Sequence, residues 1–265
     1  MPAAVHGPLH TEVMGVEGAP AMVFLHPNPM DSASWLFQMV HLSTWYRTVA
    51  VDLPGYGRSP SASAGVSMVD IADACWEAVD RVVSGPAVLV GCSVGSTLVQ
   101  HMYHRRPAQT VALVLTGTGY NPTKSFVPKR VEEYRRLGLA HRYTHTFDDF
   151  SPEFRTTPLA RWFAELFVER NDTADLDTIV AMFEALGEPD PDWLHFELSA
   201  PVLILTGSED NTHARAFDLH ERLPDSELVT LEGAGHACYI EQPWRWDREL
   251  LDFLQRRGLR PARSD

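Results

Sequence analysis

The sequence predicts an α/β fold: a mostly parallel, twisted sheet with helices on both faces. Two kinds of segment, and their regular alternation, predict it. Short runs rich in β-branched and other apolar residues lie at 21–25, 48–53, 87–90, 111–115, 201–205 and 227–231. Several are apolar almost throughout, the pattern of strands covered on both faces. Between them, residues 68–83 and 97–106 repeat apolar side chains at helical spacing. Alternating β and α segments build a parallel sheet, because parallel neighbours need a crossover and a helix supplies it.

The alternation stops between residues 120 and 198, where the pattern is helical, aromatic and interrupted by prolines such as Pro128, Pro152 and Pro158. The expected organisation is therefore a core of residues 1–119 and 199–265 with a helical cap, residues 120–198, inserted between two strands. That stretch holds 13 of the chain's 26 aromatic residues. Cap helices packing on the body account for such a concentration, and so does an apolar pocket roofed by the cap.

Composition narrows the function. With 265 residues, 45% hydrophobic and 22% charged, the chain can build a core without staples. Its net charge of −13 opposes nucleic-acid binding. The densest basic stretch, Lys129-Arg130 with Arg135-Arg136, is interrupted by Glu132 and Glu133 and reads as a solvated helix face. Three cysteines, an odd number, favour a reducing compartment over a disulfide framework. The first ten residues contain no Lys or Arg and no continuous apolar stretch, unlike a secretory signal. No run approaches the ~18 apolar residues of a membrane span. A cytoplasmic protein acting on a small molecule is the expectation. The cysteines and histidines show no metal-ligand spacing, so neither a metal nor an organic cofactor is expected.

The chemistry begins at Gly91-Cys92-Ser93-Val94-Gly95. The G-x-S-x-G pattern alone is weak, but here an apolar run precedes it and a helical stretch follows. A serine at the apex of so tight a turn adopts backbone angles that only flanking glycines accommodate. The turn lifts the hydroxyl clear of the sheet. Val94 then opens the helix, so its free N–H faces the site where an oxyanion would form. Cys92 occupies the wrong register for a nucleophile and reads as a small buried hydrophobe.

Four motifs in order carry a resemblance to the α/β-hydrolase family over most of the chain. They are His26-Pro27-Asn28-Pro29, Asp52-Leu53-Pro54-Gly55-Tyr56-Gly57-Arg58-Ser59, the Ser93 turn, and Gly233-Ala234-Gly235-His236. The resemblance implies Ser93 as nucleophile and His236 as general base. It also implies an acid just beyond the run at 201–205, at Asp210, with Glu209 as its rival; Asp52 becomes a loop-holding residue. The chain order Ser93, Asp210, His236 is the order this fold uses. Proline has no N–H, so among residues 27–29 only Asn28 offers a backbone donor, which pairs Asn28 with Val94 as the expected oxyanion hole. The His-x-Asn-Pro pattern is similar to the loop of haloalkane dehalogenases and epoxide hydrolases. Those enzymes use an aspartate nucleophile, and the serine here points to acyl chemistry instead.

The expected reaction is hydrolysis of an ester or lactone of a small, largely apolar or aromatic substrate through an acyl-enzyme on Ser93. Carbon–carbon hydrolysis of a ring-fission product stays open, as does a non-hydrolytic role as lyase, cofactor-independent oxygenase or ligand receptor. In the cap, Arg142, Arg155 and Arg161 are candidates for a substrate carboxylate, and Arg155 and Trp162 are the expected substrate contacts.

Overall fold

The computed structural model describes residues 4–121, 123–223 and 225–261. In chain order its elements are β1 (Thr11–Met14), β2 (Ala21–Leu25), α1 (Leu36–Leu42), β3 (Arg47–Val51), α2 (Met68–Asp80), β4 (Ala87–Cys92), α3 (Val94–Arg105) and β5 (Thr110–Thr116). Five helices follow: α4 (Val127–Leu137), α5 (His141–Asp148), α6 (Pro158–Arg170), α7 (Leu176–Gly187) and α8 (Asp192–Phe196). The chain then returns to the sheet through β6 (Val202–Gly207), α9 (His213–Arg222), β7 (Ser226–Leu231), α10 (Cys238–Glu241) and α11 (Pro243–Arg256).

The seven strands form one sheet in the order β1-β3-β2-β4-β5-β6-β7. All neighbours are parallel except β1 and β3. The six runs read from the sequence correspond to β2–β7. The seventh strand, β1, is absent from that reading because it is a four-residue, half-buried edge strand that sets one polar and one apolar residue on each face. So short a strand carries too few residues to display a period.

Strand alternation divides the core in two. Val23, Leu25, Leu89 and Leu113 point to one side of the sheet, where α2, α3 and α9 cover them with Ile71, Leu98 and Leu219. Met22, Phe24, Val88 and Val90 point to the other, beneath Met39 of α1 and Leu250 and Phe253 of α11. Successive strand residues face opposite sides, so each fully apolar strand feeds both layers. Local signals start the helices: Ser67 and Asp70 close a reciprocal capping box on α2. The Trp76 indole of that helix donates to the Met102 carbonyl of α3 at 2.9 Å, fixing the pair side by side.

The helices between β5 and β6 join both layers. Ile179 and Met182 of α7 enter the first cluster, while Ala160, Phe163 and Phe167 of α6 enter the second. A buried polar joint pins them down. Asp31, fully buried after β2, pairs with Arg170 at 2.9 Å and accepts from Asn171 Nδ2 at 3.0 Å. Asn171 Oδ1 in turn accepts from Gly57 N–H at 2.6 Å. No helix among the described residues is long and apolar enough to cross a membrane.

Candidate active site

In a parallel sheet the C-terminal ends of neighbouring strands lie at one edge, and loops leaving them share a crevice. The turn after β4 places Ser93 there with φ 55° and ψ −117°, a left-handed conformation rare for a residue with a side chain. The neighbouring glycines make it possible. A Cβ on Gly91 would collide with the Gly95 carbonyl, and one on Gly95 with the Leu25 and His26 carbonyls. The turn is tied to β5 as well, since Ser93 N–H donates to the Thr116 carbonyl at 3.0 Å. Gly95→Ala is expected to cost about 2–3 kcal/mol, read as a lower urea midpoint, because backbone rather than a flexible side chain must move. An unchanged midpoint would mean that the turn has slack.

The loop after β6 carries Asp210, and the loop after β7 carries His236. His236 Nδ1–H donates to Asp210 Oδ1 at 2.9 Å. Asp210 also accepts from Thr212 N–H and from the Thr212 hydroxyl, both at 2.8 Å. Burial alone raises the Asp210 carboxyl, but His236 and the Thr212 donors outweigh it and hold the group below its usual range. Burial likewise lowers His236, and the Asp210 carboxylate, with Asp149 behind it, overrides that and raises the imidazole to about 9. Glu209, the rival acid, is exposed to solvent.

His26 and Asp52 position the loop after β2. His26, fully buried, donates from Nδ1 to the Pro27 carbonyl and accepts at Nε2 from Leu53 N–H, both at 2.9 Å. Asp52 accepts from Ser32 N–H at 2.9 Å and from Arg58 N–H at 3.0 Å. These bonds fix residues 26–32 over the start of α3. The Asn28–Pro29 peptide is cis. Neither Asn28 nor Val94 spends its backbone N–H on a hydrogen bond among the described residues, and both line one cavity with Ser93 and His236.

That cavity holds about 290 Å³. It contradicts the expectation of an aromatic, apolar pocket in one respect: Phe126, Phe183 and Leu186 share its wall with Lys124, Arg130, Asp149 and Asp190. Lys124 Nζ pairs with Asp190 at 2.7 Å, and Asp190 also meets His195 Nε2 at 3.2 Å. Arg130 pairs with Glu133 at 3.2 Å and donates to His141 Nε2 at 3.1 Å, so it is not part of a purely solvated face. Arg215, on α9, lines the cavity without an ion pair among the described residues.

The expected cap contacts lie elsewhere. Arg155 is turned back to the Phe150 and Asp148 carbonyls at 2.8 and 2.9 Å, which satisfies the backbone of its own turn. Trp162 is 49% exposed, because the inward stripe of α6 is Ala160, Phe163 and Phe167 and residue 162 falls off it. Arg142 is buried against the Leu139 and Asn171 carbonyls, and Arg161 is exposed. None of the four lines the cavity. The residues the sequence reading missed, Lys124, Arg130, Asp149, Asp190, His195 and Arg215, carry no motif. Gly117 could be suspected from its place just beyond the run at 111–115. It has φ 55°, and a Cβ there would sit 3.0 Å from His236 Cε1. Among the described residues, no group of three or more His, Cys, Asp or Glu side chains is gathered to hold a metal ion. The three cysteines are free and buried, and burial pushes the Cys92 thiol well above its usual range.

A sequence profile of the Alpha/beta hydrolase family matches residues 22–246. The chain is similar to a pimeloyl-(acyl-carrier protein) methyl ester esterase of Vibrio vulnificus, 28% identical, covering 92% of this chain and 97% of that one. It is also similar to a 2-hydroxy-6-oxononadienedioate/2-hydroxy-6-oxononatrienedioate hydrolase of Burkholderia vietnamiensis, 26% identical over 90% and 88% of the two chains. Among solved structures, the enol-lactonase of Burkholderia xenovorans superposes with a TM-score of 0.83 at 20% identity, covering 96% of this chain and 99% of that one.

Proposed function

The chain belongs to the alpha/beta hydrolase family and is a hydrolase, and from that premise we propose that it cleaves a small carboxylic ester or lactone through an acyl-enzyme on Ser93. One observation carries the reading. A serine at φ 55° on a strand-to-helix turn shares a cavity with a histidine whose far nitrogen is bonded to a buried carboxylate.

In the proposed mechanism the Ser93 oxygen attacks the substrate carbonyl carbon while His236 Nε2 takes the hydroxyl proton. Asp210 holds the imidazole with Nδ1–H turned away from the substrate and stabilises the imidazolium that forms. The N–H groups of Asn28 and Val94 stabilise the oxyanion, the second aided by the N-terminus of α3. His236 returns the proton to the leaving alcohol, and water, deprotonated by the same imidazole, frees the acid. Residues 120–198 act as the cap, contributing Phe126, Arg130, Asp149 and Phe183 to the cavity wall.

A fluorophosphonate probe is expected to add one label per chain, on Ser93, with labelling slowed at least tenfold by His236→Ala. Label on another residue, or unchanged labelling of the histidine variant, counts against the assignment. A second reading, hydrolysis of a carbon–carbon bond beside a ketone, draws on the likeness to the Burkholderia vietnamiensis hydrolase. It predicts turnover of a 2-hydroxy-6-oxo-dienoate at a rate above that of any simple ester.

A further inference from the structure

His236 stands on a loop that has little of its own to hold it. Between β7 and α10 the chain runs Glu232-Gly233-Ala234-Gly235-His236-Ala237, and its two glycines leave the backbone much conformational freedom to lose. From Gly233 to Ala237 the neighbours of the histidine carry at most a methyl group, so hydrogen bonds do most of the fixing. The early part is tied locally: Gly233 N–H donates to the Ser208 hydroxyl at 2.8 Å and Ala234 N–H to the Leu231 carbonyl at 3.2 Å. The two amides flanking the histidine are held from outside the loop. Ala237 N–H donates to the Asp149 carbonyl at 2.9 Å, and Gly235 N–H donates to Glu241 Oε1 at 3.0 Å.

Glu241, the last residue of α10, makes more than that one bond. Its Oε1 also accepts from Ser151 N–H at 2.9 Å, and its Oε2 accepts from the Ser151 hydroxyl at 2.6 Å. One carboxylate therefore gathers three donors from two segments, the histidine loop and the turn after α5. Hydrogen bonds to an ionised acceptor are about twice as strong as those between neutral groups. The two segments also touch directly, since a Cβ on Gly235 would lie 2.5 Å from Ser151 N and 2.7 Å from the Phe150 carbonyl carbon.

The chemistry makes this placement matter. A general base must stand within about 2.6–3.2 Å of the hydroxyl whose proton it takes. On the other side of the ring Nδ1–H must stay on Asp210, 2.9 Å away. A shift of ~1 Å in such an array costs about a hundredfold in rate. Glu241 does not line the cavity, so its influence on the reaction runs through the loop.

We propose that Glu241 is a positioning residue for the reaction of Ser93: its three hydrogen bonds set the His236 imidazole between Asp210 and the nucleophile. The inference rests on the serine-hydrolase reading above.

Turnover of p-nitrophenyl acetate by folded variants tests it. Glu241→Ala lowers kcat by about a hundredfold with KM changed by only a few fold. Glu241→Gln stays within about threefold of wild type. Its one oxygen can still accept from both backbone N–H groups, and its amide can donate to the Ser151 hydroxyl. In the His236→Ala background, adding Glu241→Ala changes the residual rate by less than about twofold, because the residue acts through the imidazole. A general loosening of the cavity would lower that rate as well. Where the alanine variant does not fold, Glu241→Asp takes its place. It keeps the charge but is one methylene too short to reach all three donors, and a drop of about tenfold is expected. An alanine variant retaining more than a third of wild-type kcat, a glutamine variant as slow as alanine, or an equal loss without His236 overturns the proposal.

Failure of the hydrolase reading is seen separately, as full turnover by Ser93→Ala or as no turnover of any ester by folded wild type. A second readout therefore needs no turnover: the far-downfield proton resonance of His236 Nδ1–H in Ser93→Ala, assigned by its loss on His236→Ala. Adding Glu241→Ala shifts it upfield or broadens it away, whereas adding Glu241→Gln preserves it. A resonance unchanged by Glu241→Ala, or absent even with Glu241 in place, overturns the positioning role.

Discussion

Ser93→Ala is expected to lower kcat on an activated ester by about 10⁵-fold or more, with KM changed by only a few fold. The alanine keeps the cavity, the helix N-terminus and the proposed oxyanion donors, so the substrate is expected still to bind. What it loses is the oxygen proposed to form the covalent bond. A residual rate well above the uncatalysed one is also expected, because Asn28 and Val94 would still meet developing negative charge. Stopped-flow measurement with p-nitrophenyl acetate separates the cases. A burst of one p-nitrophenol per chain in the wild type, absent from the variant, supports the acyl-enzyme. A variant retaining a tenth of the wild-type rate would rule it out.

Asp210→Asn is the second large effect. With Asp210 present, His236 titrates near 9, so its neutral, base-competent form is the minority at pH 7. The sign follows directly: kcat/KM should climb about tenfold per pH unit below that value and level off above it. The asparagine removes the charge that raised the imidazole. Burial, which lowers it, then dominates, and the rising limb moves to lower pH. The plateau nevertheless falls, by about 10³–10⁴-fold, because an asparagine side chain can donate to Nδ1 and stabilise the wrong tautomer. A pH profile of kcat/KM over pH 5–10 for both proteins checks both parts. An unshifted limb would show that Asp210 does not control the charge of His236.

How much of the site could be read beforehand depended on how locally each residue is specified. Ser93 sits in five residues whose glycines are required by contacts within the turn itself and with the adjacent strand. Asp210 and His236 each follow a recognisable strand within a few residues. The strands are parallel neighbours, so their C-terminal loops meet at one edge whatever the rest of the chain does. The choice between Glu209 and Asp210 was not fixed by spacing. It rests on which carboxylate is buried beside the imidazole and which faces water.

The helices between β5 and β6 behaved differently. Their existence follows from apolar spacing and capping signals, but which flank of each helix reaches the cavity does not. Each residue turns the helix by about 100°, so a small rotation set by distant packing exchanges the inward side chain for its neighbour. Trp162 and Phe163 illustrate it: one stands half exposed, the other is buried against Phe37 and Phe167. Arg155 shows the same limit, since a cation near a cavity finds backbone carbonyls as readily as a substrate.

Sequence by itself determined the layered α/β architecture, the strand ends that carry Ser93, Asp210 and His236, and the family, because these follow from short-range patterns and hydrophobic periodicity. Only the tertiary structure decided the wall of the cavity. Asp149, Lys124 with Asp190, and Arg130 arrive there from helices and turns far apart in the chain. Their positions are the outcome of packing two layers of side chains on one sheet, a long-range balance of burial and polar pairing that no local pattern encodes.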